Sequence, residues 1–399
     1  MTFIFKKTIL GAASLATAAT FSAVASAQST PLANENRDKV AFSQPLDPGQ
    51  TLQLGEARAV ATSRSYYQRV SGAELAKGVE IVTQAPGAVI RLTPVQSNGA
   101  LPDKTGANLR TSDLLLSSGR SEPVSIERSG ALVADQAALR ASHPDLFENT
   151  IAFETPTALG QGRLTLRSQQ NLGAGQVYMV HVFDRNSQRE FLAESERQHY
   201  FESDGLVVRT SLSGASRKQR AEATAVLLGP DGQRFALQAT QNGGALEIAG
   251  KLPGKISVSP GELWRVAIRY RETEGETPLY RDVELPIAVG LQSAQIRSVK
   301  AAGNELSVNV RVKEAGRYEV RAWIFASRGK SEPEGAMLTY GAEWLEAGQR
   351  TMTVAPDFSA LAAKGYEPPY QIRQLQLLDQ SRLMALDTET SEDLPVFEK

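Results

Sequence analysis

Apolar and polar residues alternate with period two through most of the chain after residue 56. This is the pattern of strands with one buried face and one wet face. The clearest run is 305–313, where Leu306, Val308, Val310 and Val312 alternate with Ser307, Asn309, Arg311 and Lys313. In 263–270, Trp264, Val266, Ile268 and Tyr270 share one face and Arg265 and Arg269 the other. In 280–289, Val283, Leu285, Ile287 and Val289 share a face, and Pro286 marks an edge strand. Shorter runs predict strands at 79–83, 88–93, 150–153, 163–168, 176–183, 190–193, 206–212, 223–228, 233–239, 317–325, 370–378 and 382–386. Gly229-Pro230-Asp231-Gly232 joins two of these as a hairpin, because Pro presets its backbone angle and Gly accepts positive φ.

Two short segments predict helices. Residues 134–142 carry Asp135 early and stop at His143-Pro144, and 357–364 have Asp357 as a cap and Gly365 as a stop. Residues 98–106 predict a loop. Residues 28–55 have no periodic pattern and are punctuated by Pro31, Asn34, Asn36, Pro45, Pro48 and Gly49, which predicts an extended lead-in. Residues 388–399 predict an acidic, solvated tail. The expected fold is all-β: a β-rich N-terminal domain with one helix at 56–195, then tandem Ig-like sandwiches at 196–290 and 291–387.

The first 27 residues read differently. Lys6 and Lys7 precede an uncharged run over 9–24, and Ala25-Ser26-Ala27 forms a small-residue cleavage site. This predicts a secretory leader cut between Ala27 and Gln28, and hence a periplasmic or secreted protein. The run is too short and too weakly apolar for a membrane anchor, and no later segment predicts a membrane span. Removing Lys6 and Lys7 from the 43 basic residues leaves 41 against 44 acidic ones, which argues against a nucleic-acid partner. The chain has no cysteine, so thiol catalysis, Cys-ligated metal and disulfides are excluded. Each domain must hold together through its apolar core alone.

Several stretches together resemble a known family: Ala85-Pro86-Gly87-Ala88-Val89-Ile90-Arg91-Leu92, YMVHVFD at 178–184, Gly229-Pro230-Asp231-Gly232, GELWRV at 261–266 and PPYQIRQLQLLDQSRL at 368–383. The likeness is to exported Gram-negative proteins of about 400 residues, known only as a domain of unknown function. It implies a β-rich N-terminal domain followed by two immunoglobulin-like domains. Its motifs are turns and strand cores, so it implies no catalytic residue.

The chain carries few motifs of reactive chemistry. The histidines are His143, His181 and His199, in three dissimilar contexts that predict no shared metal site. No G-x-S-x-G and no H-E-x-x-H occurs. Ser327-Arg328-Gly329-Lys330 matches S-x-x-K and Lys104-Thr105-Gly106 matches K-T-G, but the first runs into a Gly- and Pro-rich loop where a helix is required. Asp184-Arg185-Asn186 and Asp231-Gly232 are oxygen-rich turns without a calcium-ligand series. Trp264, Trp323, Phe325 and Trp344 are candidates for a sugar platform, with Trp264 expected in the core. Trp323 and Phe325 lie opposite Tyr318, Val320 and Ile324, so both faces of that strand are apolar and an interaction surface is expected there. No cofactor is expected. The functional expectation is a non-enzymatic binding or interaction protein with a protein or glycan partner. The alternatives are a secreted hydrolase with its site near 98–106 and Asp135, or a modulator of another secreted protein. Expressed with its leader in a Gram-negative host, the protein is expected to begin at Gln28. Intact mass spectrometry of the exported product checks this, and a product retaining Met1 refutes it.

Overall fold

The computed structural model describes residues 37–398 apart from positions 51, 53, 96–108, 120, 130, 131, 135–149, 174, 215–220, 243, 244, 257–259, 273–276 and 391–393. The chain is nearly all β, and its buried apolar side chains gather in three cores. In the first, a five-stranded sheet (order Ser65–Ser71, Val177–Phe183, Val89–Val95, Ile151–Glu154, Leu132–Ala134) accompanies a four-stranded one (Val79–Thr83, Gly162–Ser168, Leu114–Ser118, Val124–Ser125). Their inward rows, among them Tyr66, Ile81, Ile90, Leu116, Leu166 and Val180, make one cluster.

The second core is wrapped by one nine-stranded sheet that doubles back on itself. The turning point is Arg234–Asn242. Its first half pairs with Glu222–Leu228 and its second half with Ala245–Lys251. The alternation in Leu263–Glu272 is nearly strict, and Trp264 is buried against the Phe235 ring, 6.0 Å between centroids. The third core lies between the three-stranded sheet Ala294–Ala302, Glu305–Val312, Gly348–Val354 and a six-stranded sheet. The latter runs Val40–Pro45, Glu334–Leu345, Gly316–Ser327, Glu367–Asp379, Met384–Glu389, with Val396–Phe397 also on Glu367–Asp379.

Four sequence expectations change. The 28–55 lead-in contains Val40–Pro45, which pairs residue by residue with Glu334–Leu345 of the third core. Phe191–Ser195 and Val60–Ser63 lie at one end of the second domain's sheet, so the first core ends near Asp184 and not at residue 195. The 388–399 tail is not simply solvated: Leu394 and Phe397 are buried in the third core, and Phe397 opposes Tyr370. An unexpected helix, Gly72–Lys77, opens with a full capping box, the Ser71 hydroxyl accepting from the Glu74 amide and the Glu74 carboxylate accepting from the Ser71 amide. Of the helix expected at 134–142, Ala134 instead ends the strand Leu132–Ala134 and the rest lies outside the described residues, as does the loop at 98–106. The helix at Phe358–Ala363 forms with Asp357 as its cap, and Gly365 follows at φ 82.

The chain therefore passes twice between the second and third domains. One crossing is Gly290 to Ser293. The other is the connector of residues 46–59, which leaves Val40–Pro45 and reaches Val60–Ser63. It is pinned on the third domain by Leu46 N–H to Ala336 C=O (2.8 Å) and Gly55 N–H to the Gln374 side chain (2.6 Å). On the second domain, Ala57 C=O accepts from Gln198 N–H at 2.7 Å.

The first and second domains meet through buried charge. Arg281 lies on the inward row Leu279, Arg281, Val283, Leu285, and is 1% exposed. It donates to Asp184 (3.2 Å), Ser187 (3.0 Å) and the carbonyls of Arg189 (3.0 Å) and Tyr280 (2.8 Å). Asp184 also accepts from the amides of Gln84 (2.8 Å) and Ala85 (3.2 Å). Burial pushes the Asp184 carboxyl upward, and those amides with Arg281 pull it back. On the same strand the Asp282 carboxylate accepts from Tyr67 N–H and Arg271, and the Tyr280 ring meets Tyr66 edge-on at 5.3 Å. Breaking one partner of such a pair strands the other charge, at a cost of about 3–5 kcal/mol. Arg281→Met is expected to lower stability by that order, and Asp184→Leu with Arg281→Met to recover much of it. Urea unfolding measures both; a single variant as stable as wild type refutes the assignment.

Candidate functional site

The seam between the second and third domains opens into a cleft of about 650 Å³, a size typical of small-ligand sites. Segments of both domains and of the connector build it. His199–Phe201 runs parallel to the end of Leu279–Gly290, and Phe201 packs on the third core. Met384 of the third domain sits where a side chain at Gly290 would have to go, which lets the two domains approach closely. Glu56 and Ala57 of the connector close one side, and Gln376, Leu378, Ala385 and Thr388 form the wall from the third domain.

The lining mixes amides, carboxylates and apolar groups. Arg197 is committed to Asp204 at 3.4 Å and to the Tyr200 ring at 4.9 Å. Asp204 also accepts from Phe201 N–H, Asp387 from Ile296 N–H and Glu202 from Ile256 N–H. The lining serine, Ser293, donates its hydroxyl to the buried Asp379 carboxylate, which also holds Arg382 at 2.8 Å. Burial lowers the pKa of His199, which favours the neutral imidazole, a group able to donate at one ring nitrogen and accept at the other. These groups suit hydrogen bonding to a polar ligand. Among the described residues no set of three or more His, Asp or Glu is placed to hold a metal ion.

Trp323 lies half-buried on the outer face of the six-stranded sheet, in register with Leu338 and Gln374. Phe325 is not available as a surface: it is buried, its ring carries the Arg373 guanidinium at 4.7 Å, and its strand neighbour Gly335 is covered by Leu52 of the connector. The strand is apolar on both faces because its own N-terminal connector crosses it. Asp184 is no calcium turn, since Arg281 and two amides occupy it, and Asp231 bonds within its own hairpin to the Gln233 amide at 3.2 Å. Ser327 ends a strand and Lys330 lies in a turn after Gly329 at φ 59, so the S-x-x-K helix does not form. Ala27, Gln28, His143 and Lys104 lie outside the described residues. Sequence reasoning missed the cleft residues altogether, because they come from five separated segments.

The N-terminal domain model of the DUF4785 family, a domain of unknown function, matches residues 31–184, and its C-terminal domain model matches residues 292–394. The chain is similar along most of its length to the crystal structure of a DUF4785 family protein from Legionella pneumophila. That match has a TM-score of 0.67 and 22% identity, and covers 89% of this chain and 92% of the other. No curated protein matches.

His181 lies on a strand of the first domain between Tyr67 and Arg91, and burial together with the Arg91 charge lowers its pKa from 6.5 to about 4. The folded state thus binds fewer protons than the unfolded one between those values, so stability falls as pH drops from 6.5 toward 4. The loss attributable to this group is up to about 3 kcal/mol. His181→Gln is expected to flatten that part of the stability–pH curve. Urea midpoints at pH 7 and pH 4.5 check it, and identical slopes for variant and wild type refute it.

Proposed function

The chain belongs to the DUF4785 family, and on that premise we propose that it is an exported, non-enzymatic binding protein of the Gram-negative envelope or extracellular space. The observation that carries the reading is the polar cleft at the domain seam. It is concave, of ligand size, and several of its polar groups are held by neighbours: Ser293 by Asp379, Arg197 by Asp204, Asp387 by the Ile296 amide. Groups held in this way are fixed in position to orient a polar ligand. The leader motif ending at Ala27 supports export.

The third domain supports the Ig-like reading of its sandwich. Counted within the domain from Ala294–Ala302 to Met384–Glu389, its strands form sheets in the orders 1-2-5 and 4-3-6-7, with Val40–Pro45 added beside the fourth. A constant-type immunoglobulin domain has 1-2-5-4 and 3-6-7, so only the fourth strand changes sheets. Sandwiches of this kind commonly carry binding surfaces on loops and outer sheet faces.

Thr388→Trp places a large side chain in the cleft from a half-exposed position. Purified mature protein is expected to retain a glycan or protein component of the native envelope fraction, with the variant losing at least about tenfold in affinity while its circular dichroism is unchanged. Turnover of envelope polymers or ester and peptide substrates, undiminished by Thr388→Trp and without retained ligand, supports the hydrolase alternative instead.

A further inference from the structure

We infer that the ligand of this cleft is a neutral linear oligosaccharide that lies across the outer face of the six-stranded sheet; this rests on the binding reading above. The register places one side chain from each of five strands in a single row: Phe42, Tyr340, Arg321, Gln376 and Thr388. The last two line the cleft, so the row leads from the open sheet face into the cavity. Neighbouring strands are about 4.8 Å apart, close to the advance of one pyranose unit along a linear glycan. Each sugar therefore meets a new side chain.

The chemistry of the row alternates as a sugar requires. Phe42 is 50% exposed and its ring lies 5.7 Å from that of Tyr340, a tilted aromatic pair that offers π-faces to the C–H faces of a sugar ring. Arg321, Gln376 and Thr388 then supply donors and acceptors for hydroxyl groups. The row has walls. On one side the connector crosses the sheet, its Gly55 amide bonding Gln374 and burying it. Beyond the row's end stands the second domain, with the imidazole of His199 and the Gln198 amide.

Charge selects a neutral ligand. Glu319, next to Arg321 on the same face, binds Arg321 and Gln380 together, so the guanidinium is already compensated. In the cleft Arg197 is paired with Asp204, whereas Glu56, Glu202 and Glu314 outnumber Lys313. A uronate- or phosphate-bearing glycan would be repelled there. A peptide strand finds no ladder in the groove, because the backbone groups of the central strands beneath it are bonded to one another.

The test is calorimetric titration of the full mature chain with hexaoses of glucose, mannose and N-acetylglucosamine, and with a hexauronate as the charged control. At least one neutral hexaose is expected to bind. Phe42→Ala, Tyr340→Ala and Gln376→Ala are each expected to raise Kd about tenfold, and Trp264→Phe, in the second core, is expected to leave it unchanged. Phe42 is exposed, so Phe42→Ala should fold, which circular dichroism confirms. Tighter binding of the hexauronate overturns the inference, as does a Kd insensitive to Phe42→Ala and Tyr340→Ala. If no hexaose binds but a protein partner does, and Thr388→Trp abolishes it, the glycan assignment fails while the binding reading stands. If no ligand of any kind is retained and polymer is cleaved, the binding reading itself fails.

Discussion

A guanidinium and a carboxylate, both out of contact with water, govern how this molecule is put together. Arg281 and Asp184 belong to different domains, and neither charge is tolerable alone in a protein interior. Their geometry is over-determined. Arg281 is held by four acceptors and Asp184 by two amides besides, so neither side chain can shift without leaving a polar group unpaired. The amides come from the turn preceding Pro86, whose carbonyl accepts from Asn186 at 2.9 Å. The resemblance motifs around Ala85-Pro86-Gly87 and at 178–184 thus meet the strand Leu279–Gly290 at one point. The family's chemically silent turns turn out to be joints.

That strand transmits the constraint. It begins at the junction with the first domain, forms part of the second core and ends at the third, where Ala288 joins the third core and Gly290 abuts Met384. At the same seam Leu383, the last residue of the 368–383 motif, approaches Gly261 of the GELWRV motif. With the connector as a second covalent crossing, the second and third domains are tied at both sides of the cleft. A cleft built between two domains is ordinarily open to hinge bending. Here the double crossing and the packing of Phe201 on the third core restrain it, which favours a preformed site.

Much of the fold was legible because the two-residue period is written locally. Each strand predicted within the described residues is found, and the capped helix at Phe358–Ala363 follows from Asp357 and Gly365. The helix Gly72–Lys77 was equally legible: Ser71 and Glu74 spell the capping box, but six residues are too few for a helical period to register. The tail was misread because its acidic residues outweighed Leu394 and Phe397, whose burial depends on a strand edge elsewhere in the chain. Val40–Pro45 was misread for the same reason, as its partner lies almost 300 residues away. Arg281 carried a readable signal, an arginine at an inward position of an alternating strand. Such a residue demands a buried anion, although nothing in its neighbourhood says which one.

The sequence by itself determined the strands, their buried faces, the cysteine-free reliance on apolar cores and the leader-like N-terminus, since periodicity, turn chemistry and composition act over a few residues. Only the tertiary structure decided which strand lies beside which, that the N-terminal segment belongs to the last domain's sheet, that Phe325 is covered and Phe42 is not, and that five distant segments enclose a cleft. Those are facts of long-range pairing. A strand edge accepts any chain of suitable register, so the choice among partners is made by the packing of the whole and is encoded in no single stretch of residues.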